Sequence, residues 1–381
     1  MFKAVAGYYK DNERLRLLVK IIAVWLISRA VMLLMVPVMN LIADEPHQWL
    51  YYMNPWDAEW YKGIVENGYQ PPKSSGMASW AFFPLYPLVC MAVRLVTMES
   101  IDTYAVGMTV SNICIIIAVY YAVKYADIEL DMKKYNKKTV EDIIIFLMLA
   151  GPFAVYYGAM YTEALFILCV ILCFYNSARH NYMAAGIAAA MASATRIVGC
   201  MLVFVLITYM FMETCAECRA KHNSEMKDNK EAGIIDKCML TEEAGILIAG
   251  NISLASVIRT FIKNVIKEPK KLVAIMISPL GIFIYMNYLR YFCGDSWAFY
   301  HVQRAWRTQK MFPVIGVLFK SCTGQLTAAS GVKTLNGIIL GWLCVITLML
   351  YVAMIRKKHY ALGIFGIIVL LIPLTSSVMS T

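Results

Sequence analysis

The sequence predicts an all-α, polytopic membrane protein. Of its 381 residues, 60% are apolar and only 16% are charged, whereas soluble globular proteins have roughly 45–50% apolar and about 25% charged residues. The mean hydropathy is +0.60, and several apolar runs reach the ~20 residues that cross a bilayer as a helix. With spans of this length, we expect about 9–11 transmembrane helices. This composition excludes a soluble enzyme.

The charge balance favours a membrane over a nucleic acid as the partner. The 35 Lys and Arg residues exceed the 25 Asp and Glu residues, for a net charge of +10. Most of this excess lies beside apolar runs, as expected for a protein whose cytoplasmic loops collect Lys and Arg. Because no soluble basic domain with interleaved aromatic residues is present, we expect the lipid bilayer as a partner and no nucleic acid.

The apolar runs place the membrane helices along the chain. The first, 17–42, follows a basic N-terminus and is too long for a signal peptide, so we predict a retained helix with its N-terminus inside the cell. The run 182–212 is too long for one ordinary span, and we split it near 196–199 into two short helices. The other predicted membrane runs are 81–98, 103–123, 142–158, 161–178, 271–292, 336–355 and 360–378.

We predict a single domain over 1–381 with three long loops. The loop 43–80 has five acidic residues and two lysines, a balance typical of an external loop. The loop 213–270 carries mixed charge and an amphipathic piece over 246–266, which suits the inner membrane surface. The loop 293–335 is basic and aromatic, and it is external if 213–270 is cytoplasmic.

Between 81 and 141, counting membrane spans and the distribution of lysines give opposite sides for the same loop. Lys133, Lys134, Lys137 and Lys138 in the loop 124–141 indicate that this loop lies inside, but counting spans from the first helix places it outside. Either one of the runs between 81 and 123 is re-entrant or half-length, or these lysines depart from the positive-inside rule.

The first external loop carries a candidate catalytic carboxylate. Trp56, Trp60 and Ile64 recur at i, i+4 and i+8, which predicts an apolar stripe on a short helix lying flat on the outer surface. One interpretation of Asp57, at the start of this helix, is a simple N-cap. The other is a general base, with a pKa raised by partial burial beneath aromatic rings, that takes a proton from an acceptor hydroxyl.

Two charged residues lie within or between apolar runs. Glu163 follows Tyr161 and Thr162, and a carboxylate at such a junction is costly unless it meets water, a cation or a ligand. The alternative is a helix capped by Thr162 with Glu163 in its first turn. Arg196 lies inside the run 182–212, where its natural partner is a carboxylate or a lipid phosphate. Snorkelling of Arg196 to the interface is the alternative.

The loop 293–335 is rich in cations. It holds five basic residues and one acidic residue, Asp295, which opposes the positive-inside bias. An anionic ligand outside the cell, such as a lipid phosphate, would explain this charge. The candidate binding residues are His301, Gln303, Arg304, Trp306 and Arg307.

A metal site is not predicted. The cysteine and histidine residues with the most suggestive spacing are Cys215, Cys218, His222 and Cys238. Their spacing fits no strong zinc pattern. We therefore expect neither a metal nor another cofactor.

Several motifs, in order along the chain from Arg29 to the last helix, resemble the PIG-V family of mannosyltransferases. They are Trp56-Asp57-Ala58 with Trp60-Tyr61, Gly68-Tyr69, Phe82-Phe83-Pro84-Leu85-Tyr86-Pro87, Tyr161-Thr162-Glu163 with Leu165-Phe166, Ala194-Thr195-Arg196, and the cluster His301, Gln303 and Trp306. Ile197 and Val198 depart from the family, which has a Ser-Asn-like pair between Arg196 and Gly199. Family members also continue through a further helix, so the resemblance implies a C-terminally truncated chain.

The resemblance implies a GT-C fold and a metal-independent, inverting transfer of mannose. The donor would be a polyprenyl-phosphate-linked sugar and the acceptor a glycolipid or glycan, on the external face of the plasma membrane in a prokaryote or the lumenal face of the endoplasmic reticulum in a eukaryote. It implies that Asp57 is the base and that the substrates contact Trp56, Trp60, Tyr61, Tyr161, Glu163, Arg196 and the residues of 301–307. A transporter or flippase for lipid-linked sugars is the alternative, although no internal repeat is visible.

Overall fold

The computed structural model describes residues 12–42, 47–231, 253–305, 314–323 and 334–374. Within these ranges, all regular secondary structure is helical and no strand is present. The predicted all-α class is therefore confirmed.

The described residues form sixteen α-helices. In chain order they are α1 Glu13–Ile42, α2 Trp49–Met53, α3 Ala58–Asn67, α4 Leu85–Val96, α5 Thr103–Glu129, α6 Lys137–Leu149, α7 Glu163–Ala178, α8 Tyr182–Ser193, α9 Leu202–Glu231, α10 Leu254–Lys267, α11 Pro269–Ile277, α12 Leu280–Cys293, α13 Ala298–His301, α14 Val314–Cys322, α15 Thr334–Arg356 and α16 Tyr360–Leu374. Short 3-10 helices cover Ser79–Ala81, Ile197–Met201 and Val302–Ala305.

The described helices confirm a polytopic membrane protein. Four are long and apolar enough to cross a bilayer, or up to five if the bent pair α11 and α12 is one span. The four are Glu13–Ile42, Thr103–Glu129, Ile197–Ser224 and Gly337–Arg356. Shorter apolar helices are Leu85–Val96, Glu163–Ala178, Tyr182–Ser193 and Tyr360–Ile372. The total of about 9–11 spans, which rests on the usual span length, stays a prediction.

Helix α4 is only half as long as a membrane span. It has 12 residues, or about 18 Å at 1.5 Å per residue, against ~30 Å for the hydrocarbon core. Pro84 precedes its first residue and Thr97 ends it. Of the alternatives for the runs between 81 and 123, the structure supports a half-length helix.

The helix predicted over 142–158 is wrong in its second half. Helix α6 ends at Leu149, and turns without a regular helix follow up to Thr162. Pro152 has no N–H group and restricts the residue before it, Gly151, to non-helical conformations. We call the stretch 150–162 the turn segment. Irregular backbone in a membrane protein has to be buried in protein or face water, and Ala154 and Met160 are buried here.

The run 182–212 breaks where we predicted. Helix α8 ends at Ser193, and the 3-10 helix Ile197–Met201 leads into α9. The second piece is not short, however, because α9 has 30 residues. Gly199 allows the backbone after the break to approach α8 closely, since a Cβ at this position would lie 2.3 Å from the carbonyl oxygen of Ala192.

The chain divides into two compact units. The first comprises Met1–Ala178, Ala188–Cys200 and Pro279–Trp306, and the second comprises the remaining ranges, Arg179–Ile187, Met201–Ser278 and Arg307–Thr381. The single domain and its three loops stay predictions.

An aromatic cluster joins two distant parts of the first unit. Phe83, Tyr285 and Phe299 are buried together. The Tyr285 hydroxyl donates to the carbonyl of Trp80 (2.8 Å), and the Tyr69 hydroxyl donates to that of Phe82 (2.7 Å). Helix α12 is thereby fixed against the stretch that precedes α4.

Glu213 on α9 organises the polar part of the second unit. Its carboxylate accepts from the Tyr182 hydroxyl (2.8 Å) and lies 3.0 Å from Nζ of Lys271, which is buried. A buried lysine is tolerated because a carboxylate compensates its charge.

Helix α10 is the described part of the amphipathic piece predicted over 246–266. Its apolar residues Leu254, Ile258, Ile262 and Ile266 are exposed along one row. The residues before 253 lie outside the described part of the chain. The position of this helix on the inner membrane surface stays a prediction.

Candidate active site

Asp57 precedes α3, but it does not cap the helix with its side chain. It occupies the N-cap position with helical φ and ψ of −69° and −14°, and its carboxylate makes no capping hydrogen bond. A capping side chain normally needs an extended backbone at this position. Among the described residues, the carboxylate has no hydrogen-bond partner, and the residue is exposed. The geometry therefore does not support the N-cap interpretation.

The backbone around Asp57 is fastened to the turn segment. The hydroxyl of Tyr161 accepts from the Asp57 backbone N–H (3.1 Å) and donates to the carbonyl of Pro55. One turn earlier, Oδ1 of Asn54 accepts from the backbone N–H of Met160 (2.7 Å). These contacts hold the Asp57 backbone although its side chain is free. We did not predict the role of Asn54, because nothing local in the sequence indicates its partner.

The two tryptophans of this loop do not form the predicted stripe. Trp56 lies before α3 with a left-handed φ of +49°, a conformation that is uncommon for a bulky residue. Its side chain is 74% exposed and stacks on Tyr156 at 6.3 Å. Trp60 is on the helix and stacks on Phe82 at 5.7 Å. Ile64 is buried, so this face of α3 packs on protein.

Tyr61 fixes α3 to the protein interior. It is buried, and its hydroxyl lies 3.3 Å from Oγ1 of Thr162. Its ring makes edge contacts with Phe82, Tyr86 and Tyr161. Tyr61 therefore connects α3 to Thr162 of the turn segment, and Tyr161 of the turn segment connects to the backbone just before α3.

Arg196 and Glu163 form an ion pair between Nη1 and Oε1. Glu163 is in the first turn of α7, and Arg196 lies in the connection between α8 and the following 3-10 helix. The backbone N–H of Leu85 donates to the carbonyl of Ala194 (3.0 Å), which fixes this connection at the start of α4. The partner of Arg196 is thus a carboxylate, one of the two that we predicted. The other oxygen of Glu163, Oε2, is buried without a partner among the described residues.

Asp57 lies within electrostatic reach of this pair. Burial raises the pKa of Asp57 most, the negative charge of Glu163 raises it further, and the positive charge of Arg196 lowers it. The carboxylate touches solvent on one side, while the protein packed behind it removes part of its hydration. The net effect is a pKa above the ordinary range of an aspartate, which suits a general base.

Glu59 does not join this group of charges. Its carboxylate accepts from the hydroxyl of Tyr104 on α5. Asp57 and Glu59 are two residues apart, so their side chains face different directions on a helix.

Within the described part of the chain, no hydrogen bond or ion pair joins His301 or Gln303 to Asp57 or Arg196. Nδ1 of His301 lies 2.6 Å from Oδ2 of Asp295, and this hydrogen bond keeps the pKa of Asp295 below its usual range. Gln303 is in the 3-10 helix Val302–Ala305. The side chain of Arg304 and the whole of Trp306 and Arg307 lie outside the described residues.

The fold and these contacts define a polytopic helical membrane protein in which the Asp57 carboxylate, at the start of a short helix, lies within electrostatic reach of the Glu163–Arg196 ion pair. The sequence model of a known family, described as mannosyltransferase (PIG-V), matches residues 15–227. This match covers more than half of the chain and includes Asp57, Glu163 and Arg196. The chain therefore belongs to the PIG-V mannosyltransferase family, and it is a glycosyltransferase of the membrane. Neither a curated protein nor a solved structure gives a significant match.

Proposed function

We propose that this protein transfers mannose from a polyprenyl-phosphate-linked donor to a hydroxyl of a glycolipid or glycan, with inversion at the anomeric carbon, on the external face of the membrane. The observation that carries the proposal is the carboxylate of Asp57. Its backbone is held by Tyr161, its side chain is free, and its pKa is raised.

The transfer needs only one displacement. The acceptor hydroxyl gives its proton to Asp57 while its oxygen bonds to the anomeric carbon. The bond between that carbon and the phosphate oxygen breaks, and the electron pair stays on the lipid phosphate. Because a phosphate is already a competent leaving group, no second carboxylate is required. A glycosidase, in contrast, uses two facing carboxylates, and Glu59 is bonded to Tyr104 instead.

Arg196 is suited to hold the donor phosphate. Only its Nη1 is used by Glu163, and the side chain is 42% exposed, so other N–H groups of the planar guanidinium are available for two parallel bonds to phosphate oxygens. The unpartnered Oε2 of Glu163 supports a role as acceptor for a sugar hydroxyl. The exposed ring of Trp56 and the partly exposed ring of Trp60 would bind the apolar side of the sugar or lipid, whereas the buried Tyr161 would act by holding the Asp57 backbone.

The loop after α12 would complete the phosphate site. His301, held by Asp295, has Nε2 left for a ligand, and Gln303, Arg304, Trp306 and Arg307 follow it. The cations in this stretch suit an anionic ligand, and the proposal requires this loop to lie on the same side of the membrane as Asp57.

The half-length α4 supports the proposed sidedness. If α4 enters and leaves the membrane from the outside, α5 starts outside and ends inside. The lysine-rich loop 124–141 is then cytoplasmic, as the positive-inside rule requires, and the loop 43–80 is external.

The test is release of polyprenyl phosphate by the purified protein in detergent, where transport is not defined. We expect release from a mannosylated polyprenyl phosphate only when an acceptor from a panel of glycolipids and glycans is present. Nuclear magnetic resonance of the product would show the inverted anomer. Absence of any acceptor-dependent release with all lipid-linked sugars tested would contradict the proposal and favour a flippase.

A further inference from the structure

Arg29 is a buried cation in the middle of α1 with no acidic partner among the described residues. It is only 9% exposed. Its Nη1 donates to the carbonyl of Ala154 (2.9 Å) and contacts Sδ of Met32 at 3.0 Å. Its Nε and Nη2 are buried without partners in the described structure. Such a charge at membrane depth is costly and therefore points to a function.

Arg29 provides a hydrogen-bond donor to the backbone of the turn segment. Where α6 stops, the backbone loses its helical hydrogen bonds, and buried carbonyls then need donors from elsewhere. Arg29 supplies one to Ala154. Nearby, Nδ2 of Asn112 donates to the carbonyl of Gly158 (3.2 Å), and Nε1 of Trp25 donates to Oδ1 of Asn112 (2.7 Å).

Gly158 makes room for the guanidinium. A Cβ at this position would lie 2.5 Å from Nη1 and 2.8 Å from Cζ of Arg29. The guanidinium of Arg29 therefore packs directly on the backbone of the turn segment. A side chain on residue 158 would push it away.

The C-terminal end of the turn segment holds the backbone of Asp57. Met160 donates to Asn54, and the Tyr161 hydroxyl bonds to the backbone of Pro55 and Asp57. Only two residues separate Gly158 from Tyr161, so a shift at the first is transmitted to the second.

We propose that Arg29 is a positioning residue for the general base: it fixes the turn segment, and the turn segment fixes the backbone of Asp57. This inference rests on the proposed role of Asp57. The hydrogen bonds of Arg29 in the described structure go to Ala154 and Met32 and none goes to Asp57, so we expect it to act on the rate through the geometry of the turn segment.

The first test compares Arg29→Gln and Gly158→Ala with a matched control, Gly63→Ala. A Cβ at Gly63 meets nothing within 4 Å, although Gly63 is on α3 itself. We expect both test variants to lower kcat on the order of 10- to 100-fold, since a misplacement of about 1 Å has such effects, with an unchanged KM for the donor. Gly63→Ala should stay near wild type. Normal kcat in both test variants would overturn the proposal.

The second test separates positioning from general stability. If Arg29 acts through the base, adding Arg29→Gln to Asp57→Asn should lower the residual rate by less than about twofold, because residues that act as a unit are not additive. The same fractional loss in both backgrounds would show that Arg29 only supports folding.

The third test addresses the contact itself and does not depend on the chemistry. Gly158→Ala should lower the Tm of the wild type but have little effect in an Arg29→Ala background, where the added Cβ has space. Equal effects in both backgrounds would disprove the contact. An active Asp57→Asn variant would instead overturn the proposed function while leaving this coupling unaffected.

Discussion

The guanidinium of Arg196 and the carboxylate of Glu163, 33 residues apart in the chain, are joined through Nη1 and Oε1. This pair connects the start of α7 to the segment that follows α8. Both members act electrostatically on Asp57, with opposite signs. Burial raises the pKa of the proposed base most, and the pair adjusts it further through these two opposite charges.

Asp57→Asn should abolish transfer without disturbing the fold. Removal of a general base costs roughly 10²–10⁴-fold in rate. The Asp57 carboxylate makes no capping hydrogen bond, so the Tm and the gel-filtration profile should stay those of the wild type. The measurement is kcat for release of polyprenyl phosphate by the purified variant.

Glu59→Gln is the matched control for this loss. It removes a carboxylate from the same short helix, one that is bonded to Tyr104 and faces away from the site. We expect it to keep most of the wild-type rate. If Asp57→Asn kept more than about half of the wild-type turnover, a loss far below that expected for a base, Asp57 would not be the base.

The pH dependence should move in opposite directions when each member of the ion pair is neutralised. The base works when deprotonated, so the rate rises with pH through the pKa of Asp57. Glu163→Gln removes a negative charge that raises this pKa, and the acidic limb of kcat/KM should shift to lower pH. Arg196→Gln removes a positive charge that lowers it, and the limb should shift to higher pH. Shifts in the same direction would disprove the electrostatic assignment.

Arg196→Lys should weaken donor binding. A lysine keeps the charge but cannot replace the planar fork that binds two phosphate oxygens. We therefore expect a higher apparent KM for the lipid-linked donor and a smaller change in the KM for the acceptor. Equal kinetics for the Lys variant and the wild type would indicate that Arg196 binds no phosphate.

Sidedness can be measured with single cysteines at Ser75, Lys133 and Lys357, all exposed in the described structure. In a background without reactive native thiols, an impermeant maleimide on intact cells should label position 75 but neither 133 nor 357. Labelling at 133 would mean that α4 crosses the bilayer. Labelling at 357 without labelling at 75 would show that the whole topology is the reverse of the one proposed.

The membrane class and the candidate carboxylate could be read from sequence because their signals are local. Apolar content over a span and the motif around Asp57 need no knowledge of distant contacts. The early end of α6 also had a local signal that we did not use, since Pro152 follows Gly151 within the apolar run. Arg29 had one as well, as a charge in the middle of the first run.

Contacts between residues far apart in the sequence had no local signal. Glu163 lies in the first turn of α7, which the sequence indicated, but its pairing with Arg196 depends on how α7 packs against the connection after α8. The attachment of Asn54 to Met160, 106 residues away, depends likewise on the course of the turn segment.

By itself, the sequence determined that this is a helical membrane protein with PIG-V motifs and a carboxylate beside aromatic residues, because composition, periodicity and motif order are properties of short stretches. Only the tertiary structure decided that Trp56 lies outside α3, that Asp57 leaves its carboxylate uncapped, and that Glu163 pairs with Arg196. These outcomes depend on which distant segments pack together, because a side chain in a membrane protein takes the partner that packing places within hydrogen-bond reach.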